Sequence, residues 1–166
     1  MKIPNWDKRS IFTSNLLNPA FCGEVIRKTI VQYCKDSGKE GLPFSLAFFI
    51  LPIILHKQTR NLLPKTKRTK LHEWLTNNEE LKLIIVPRIK YLTPYTRESL
   101  LFLYGHGIIE FNTEGEIVPV ITRSKKFHKD YTEEIADIFN YAGKLGTWIN
   151  TFPSEKITYT FFGIKP

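Results

Sequence analysis

The chain has 166 residues, of which 42% are hydrophobic and 13% aromatic. That is enough for one packed core or two small subdomains sharing one, and it excludes a disordered polymer. Twenty-four basic against sixteen acidic residues give a net charge of +8, which favours an anionic partner such as nucleic acid or an acidic protein face over a merely solvated basic surface only if the charge is concentrated.

Met1–Phe12 lacks the apolar run of a secretion signal and contains Asp7. Residues 1–17 read as an irregular arm, with Trp6 and Phe12 as its anchors on the body. Asn18 followed by Pro19 is a helix start, because Asn caps free amides and Pro is preorganised at the first helical position. Phe21, Val25, Ile26, Ile30 and Tyr33 recur at helical spacing, so the first helix runs to about Asp36. Cys22 and Cys34 fall on it, about 18 Å apart and too far for a bridge. Unbridged cysteines without an export signal predict a cytoplasmic protein.

Leu42–Leu55 is fourteen residues without a charge. A membrane span needs roughly 20, so the stretch predicts a central buried helix starting at Pro43 and ended or kinked by Pro52. Lys57–Lys70 follows with six basic and no acidic residues. There Lys57, Arg60, Lys65, Lys67, Arg68 and Lys70 are candidates to track phosphates or an acidic partner. A second basic connection adds Arg123, Lys125 and Lys126. His56, between the two stretches, reads as a histidine at a helix C-terminus.

Thr69 is placed to cap a short helix, Lys70–Leu75. A further helix starts at Asn78 with Glu79 and Glu80, and Pro87 predicts a kink or split in it. Thr93-Pro94 restarts a helix to about Tyr104, stopped by Gly105 and Gly107. Ile108–Phe111, Asn112–Gly115 and Ile117–Ile121 read as a β-hairpin. Helix, turn, helix and hairpin over about 78–122 is a winged-helix-like layout. Thr132 opens a helix through Ile149, broken by Pro153, and Ile157–Ile164 reads as a strand rich in aromatics and Thr. The expected class is therefore α+β: a mostly helical single domain over 18–166, with a winged-helix-like helix-turn-helix plus β-hairpin.

No catalytic arrangement stands out. His56, His72, His106 and His128 lack HExxH spacing, and neither cysteine lies in a CxxC. No phosphate loop or nucleophile elbow is present, and the paired glutamates sit at helix starts where the dipole accounts for them. No cofactor, metal or enzymatic activity is expected. The helix Thr96–Gly105 makes a poor DNA reader, since Arg97 is followed by Glu98 and then an apolar run. Trp74, Tyr95 and Arg97 are instead candidates for a protein interface, Trp74 having core packing as its plainer explanation.

Four short segments and the chain end together resemble a family. These are Asn18–Phe21; Leu42–Pro52 with His56; Arg60–Pro64 with Thr69 and Leu71–Leu75; Pro94–Glu98 with Leu100, Leu101 and His106-Gly107; and Phe162–Pro166. In order and spacing they are similar to the middle component of bacterial three-component ABC systems, over roughly 18–166. The resemblance implies a small non-enzymatic accessory subunit. Its partners would be an ABC ATPase of the SMC/Rad50 kind and an effector such as a nuclease, in an antiphage defence complex of the Lamassu type. Double-stranded DNA is a further candidate partner through the complex, and no membrane contact is expected. The rival reading is a stand-alone winged-helix DNA-binding regulator.

Overall fold

The computed structural model describes residues 3–66, 68–122 and 132–164, and of Phe12 the backbone alone. The helices are α1 Ile11–Leu16, α2 Pro19–Ser37, α3 Ile50–Ile54, α4 Lys57–Asn61, α5 Leu71–Asn77, α6 Glu80–Gly105, α7 Glu133–Ile149 and α8 Glu155–Phe161. Three short strands, β1 Leu42–Pro43, β2 Ile109–Phe111 and β3 Glu116–Pro119, form one antiparallel sheet in the order β1-β3-β2. The α+β class and the hairpin agree with the sequence reading.

α2 is the central element. Asn18 Oδ1 accepts from the Ala20 N–H at 2.8 Å, Pro19 opens the helix, and Gly38 closes it at φ 69°. The left-handed turn at Gly38 costs little because glycine has no Cβ. α2 packs most extensively on α7 and next on α6. α7 begins as expected, with Thr132 Oγ1 accepting from the Ile135 N–H. Hairpin register pairs Ile109 with Pro119 and Phe111 with Ile117, and Leu42 pairs with Ile117 from the other side. The buried faces of all these elements meet in one continuous apolar cluster.

Five expectations are corrected. The N-terminal arm is ordered: a 3₁₀ turn over Trp6–Lys8 precedes α1. Trp6 is 49% exposed, and the arm is held instead by Arg9, which makes two hydrogen bonds to the Glu98 carboxylate at 3.0 and 2.6 Å. Arg9 also lies over the Trp6 and Tyr95 rings, 4.8 and 5.9 Å from their centroids. Phe12, the other expected anchor, has its side chain outside the described part of the structure.

The apolar stretch is buried as expected but is not one helix. It enters as β1, continues as a 3₁₀ helix over Phe44–Phe49 and becomes α3 only at Ile50. Pro52 is the third residue of α3, within its first turn, where proline's fixed φ suits a helix and the proline is accommodated.

α6 is unbroken for 26 residues although it contains Pro87 and Pro94. Pro87 is exposed and Pro94 half-buried, while Leu81, Ile85, Ile89, Leu92 and Leu103 line the opposite, buried face. The carbonyls that lose a donor therefore lie on the side of the helix away from the core, where water can satisfy them. The break expected at Thr93 does not occur. The winged-helix-like helix-turn-helix expected over about 78–122 is therefore not formed: one helix, α6, leads directly into the β2–β3 hairpin.

Lys70, not Thr69, is the N-cap of α5, where Glu73 accepts from the Lys70 N–H at 3.1 Å. The last correction concerns 157–164, which form α8 and a turn rather than a strand. Thr158 and Phe162, one helical turn apart, are both buried, and Phe162 and Tyr159 pack on the Phe49 ring at 4.8 and 5.0 Å. Strand propensity in Thr and aromatic residues yields to that spacing.

Both cysteines are free. Burial pushes the Cys22 thiol up to about 12 and the Cys34 thiol to about 11. Neither is a thiolate at neutral pH, so the native chain should react slowly with a thiol reagent at pH 8, Cys34 ahead of Cys22. Both should react rapidly in denaturant. Rapid labelling of Cys22 in the native state would contradict this packing.

Candidate partner-binding surfaces

The basic segment is less uniform than its sequence suggests. Arg60 is 1% exposed: its guanidinium donates to the Ile54 carbonyl at 2.7 Å and to Glu134 of α7. Lys57 is 70% exposed and reaches the other Glu134 oxygen at 3.1 Å. Hydrogen bonds from Arg60, then Lys57, hold the Glu134 carboxyl below its usual range. Arg60 is thus a fold residue, not a phosphate contact, and Lys57 is partly neutralised. Charge in a linear sequence carries no information about a carboxylate 74 positions away.

His56 directly follows the C-cap of α3, at a helix C-terminus as expected, and also caps the start of α4. Its Nδ1 accepts from the Thr59 N–H at 3.3 Å. Burial, then the charges of Arg88 and Arg60, lower its pKa, which keeps the ring in the neutral, accepting form.

Beyond α4 the chain becomes a clamped loop. The Trp74 indole donates to the Leu62 carbonyl at 2.6 Å, and the Trp148 indole donates to the Thr69 carbonyl at 2.9 Å. The two rings meet edge to face at 4.9 Å. Trp74 is 3% exposed, so packing is its role in this fold. Between those anchors Lys65 and Arg68 are exposed, as is Lys70 just beyond. Lys65 borders a cleft of about 390 Å³ that Tyr141, Lys144 and Trp148 also line. Lys67, Arg123, Lys125 and Lys126 lie outside the described residues.

A second surface lies where α6 meets the hairpin. Phe44, Leu100, Leu101 and Phe111 line an almost wholly apolar groove of about 320 Å³, with Arg97 at its rim. The Phe44 and Phe111 rings are 6.0 Å apart, and Tyr104 adds a third ring 5.7 Å from Phe111. Leu101 is 71% and Tyr104 55% exposed. Of the three interface candidates, Arg97 stands on this surface. Tyr95 is buried beneath Arg9, its phenol raised by burial and then by Tyr91. Sequence reasoning missed Phe44 and Phe111 because they are 67 positions apart and are joined only by sheet pairing through β3. Glu98 does not meet the solvent as a free carboxylate either, since Arg9 covers it.

Among the described residues, no three His, Cys, Asp or Glu side chains converge as a metal site, and no helix is long and apolar enough to cross a membrane. No curated protein and no solved structure matches the chain. A family model described as "ABC-three component (ABC-3C) system Middle Component 3" matches residues 6–166. That span contains the arm, the clamped basic loop and the apolar groove. The chain belongs to the Middle Component 3 family of ABC-three component systems.

Proposed function

We propose that this chain is a non-enzymatic bridging subunit that holds an SMC/Rad50-like ABC ATPase to an effector in a cytoplasmic bacterial defence complex. Family membership supports an accessory role beside other components. The observation that carries the bridging reading is the exposed groove of Phe44, Leu101 and Phe111 with Arg97 at its rim. Aromatic residues and arginine beside apolar surface are the usual makings of a protein–protein hot spot.

Co-expression with the other two components of its system tests this. A complex of all three should be recovered, and omitting this chain should separate ATPase from effector. An ATPase–effector complex that forms equally well without it would overturn the bridging role.

The clamped loop carrying Lys65 and Arg68 supports a second contact, to DNA held by the complex. Reversing Lys65, Arg68 and Lys70 together should weaken DNA binding by the complex and flatten its salt dependence, by roughly 0.9 in log–log slope for each phosphate no longer neutralised. An unchanged slope would remove the loop from the DNA contact. Tight, sequence-selective binding by the isolated chain would favour the stand-alone regulator instead.

A further inference from the structure

The solvent face of α6 has a regular order of its own. Leu83, Pro87, Lys90, Pro94, Arg97, Leu101 and Tyr104 follow one another at alternating steps of four and three. Residues three and four apart share one face of a helix, so these seven form a single stripe, a seam apolar at both ends and basic in its middle. In α6 it lies opposite the buried face. Leu83 is 80% exposed at one end, and Leu101 and Tyr104 stand out at the other. Both prolines of the helix, Pro87 and Pro94, fall on this one line. The seam runs about 31 Å.

Its charge is one-sided. Lys90 and Arg97 are both exposed and sit seven positions, or about 10.5 Å, apart in its middle. Among the described residues neither is in an ion pair. The seam itself contains no acidic residue, and the neighbouring Glu98 is already held by Arg9. At its C-terminal end the seam runs into the groove of Phe44 and Phe111.

We propose that this face, from Leu83 to Tyr104, docks an acidic amphipathic helix of a partner component. Two carboxylates a heptad apart would meet Lys90 and Arg97. Apolar side chains flanking them would cover Leu83 at one end and fill the Leu101–Phe111 groove at the other. This deepens the bridging reading and rests on it.

The test is co-purification of the tagged full chain with the other two components. The comparison is wild type, Lys90→Glu/Arg97→Glu, and Lys35→Glu/Lys156→Glu, whose lysines are exposed elsewhere. Circular dichroism melts confirm that each variant is folded. The seam variant should lose recovery of one component about tenfold or more, while the control keeps it. A p-benzoylphenylalanine in place of Leu101 should crosslink to an acidic helical segment of that same component.

Wild-type recovery matched by Lys90→Glu/Arg97→Glu would overturn the seam and leave bridging intact. A wild-type chain that recovers neither component would overturn both. Loss of binding to a random DNA duplex in the seam variant, with the protein complex unchanged, would assign the face to nucleic acid and overturn the helix.

Discussion

Replacing Gly146 by alanine should destabilise the chain by about 3 kcal/mol or more, the upper end for overpacking a core. Gly146 lies on α7 where that helix presses on α2. A Cβ there would fall 2.2 Å from the Thr29 carbonyl oxygen and 3.0 Å from the Tyr33 nitrogen. Both obstacles are backbone, so no rotamer change relieves the clash, and the helices must separate. The same crossing carries a polar contact that separation would break: the Thr29 hydroxyl lies 3.0 Å from the Val25 carbonyl and 3.1 Å from that of Ala142, and donates to one or the other. Gly143 supplies the control. A Cβ there meets nothing within 4 Å, so Gly143→Ala should be neutral or stabilising by up to about 1 kcal/mol. Urea unfolding of the three proteins measures both effects. Equal midpoints for wild type and Gly146→Ala would show that α2 and α7 are not in this close approach.

Reversing Arg60 should be the most damaging single change in the basic segment. Arg60→Glu would bury a carboxylate against the partly negative Ile54 carbonyl oxygen and beside the Glu134 carboxylate. Only Arg60 is buried in this pair; an unpaired carboxylate in its place costs several kcal/mol, about 3 or more, and the half-exposed Glu134 adds repulsion. Arg60→Met should cost less, because it buries no charge and leaves Glu134, 45% exposed, to water. Lys65→Glu and Arg68→Glu, on the exposed loop, should stay within about 0.5 kcal/mol of wild type. Thermal melts separate the three cases, and a melt of Arg60→Glu like that of Lys65→Glu would refute the burial of Arg60. The sign with pH follows from the lowered Glu134 carboxyl. Its folded pKa lies below the unfolded value, so its contribution is complete above the ordinary carboxylate range. That contribution is lost as pH falls through the lowered value, and Glu134→Gln should flatten this part of the acid limb. Any loss of DNA binding in an Arg60 variant would therefore report unfolding, whereas Lys65 and Arg68 test the surface itself.

Local chemistry made much of the fold legible. Asn18-Pro19 starts α2, Thr132 starts α7, and Asn112–Gly115 turns the hairpin, each where the sequence reading puts it. These signals act within a few residues, through caps, fixed φ angles and permitted turns. The readings that failed had also used local rules, but at positions where distant packing prevailed. Pro87 and Pro94 would break an isolated helix. In α6 they lie on the side away from the core, Pro87 exposed and Pro94 half-buried, while the apolar side is fastened to the core along its length. The Thr- and aromatic-rich end would suit a strand. It coils because Tyr159 and Phe162 find the Phe49 ring, and because Tyr159 donates to the Ser45 carbonyl at 2.8 Å.

For the candidate surfaces the division is similar. The sequence alone determined that the chain is a folded α+β domain with an excess of positive charge and no recognisable catalytic motif. It also picked out Lys65, Arg68 and Arg97, which the structure leaves on the surface. Only the tertiary structure decided which cations are available. It consumed Arg60 against Glu134 and Arg9 against Glu98, buried Trp74 and Tyr95, and gathered Phe44, Leu101 and Phe111 into one groove. The physical reason is range. Periodicity and capping are written within a turn or two of helix, whereas ion pairs and surface patches join residues that meet only after the chain has folded.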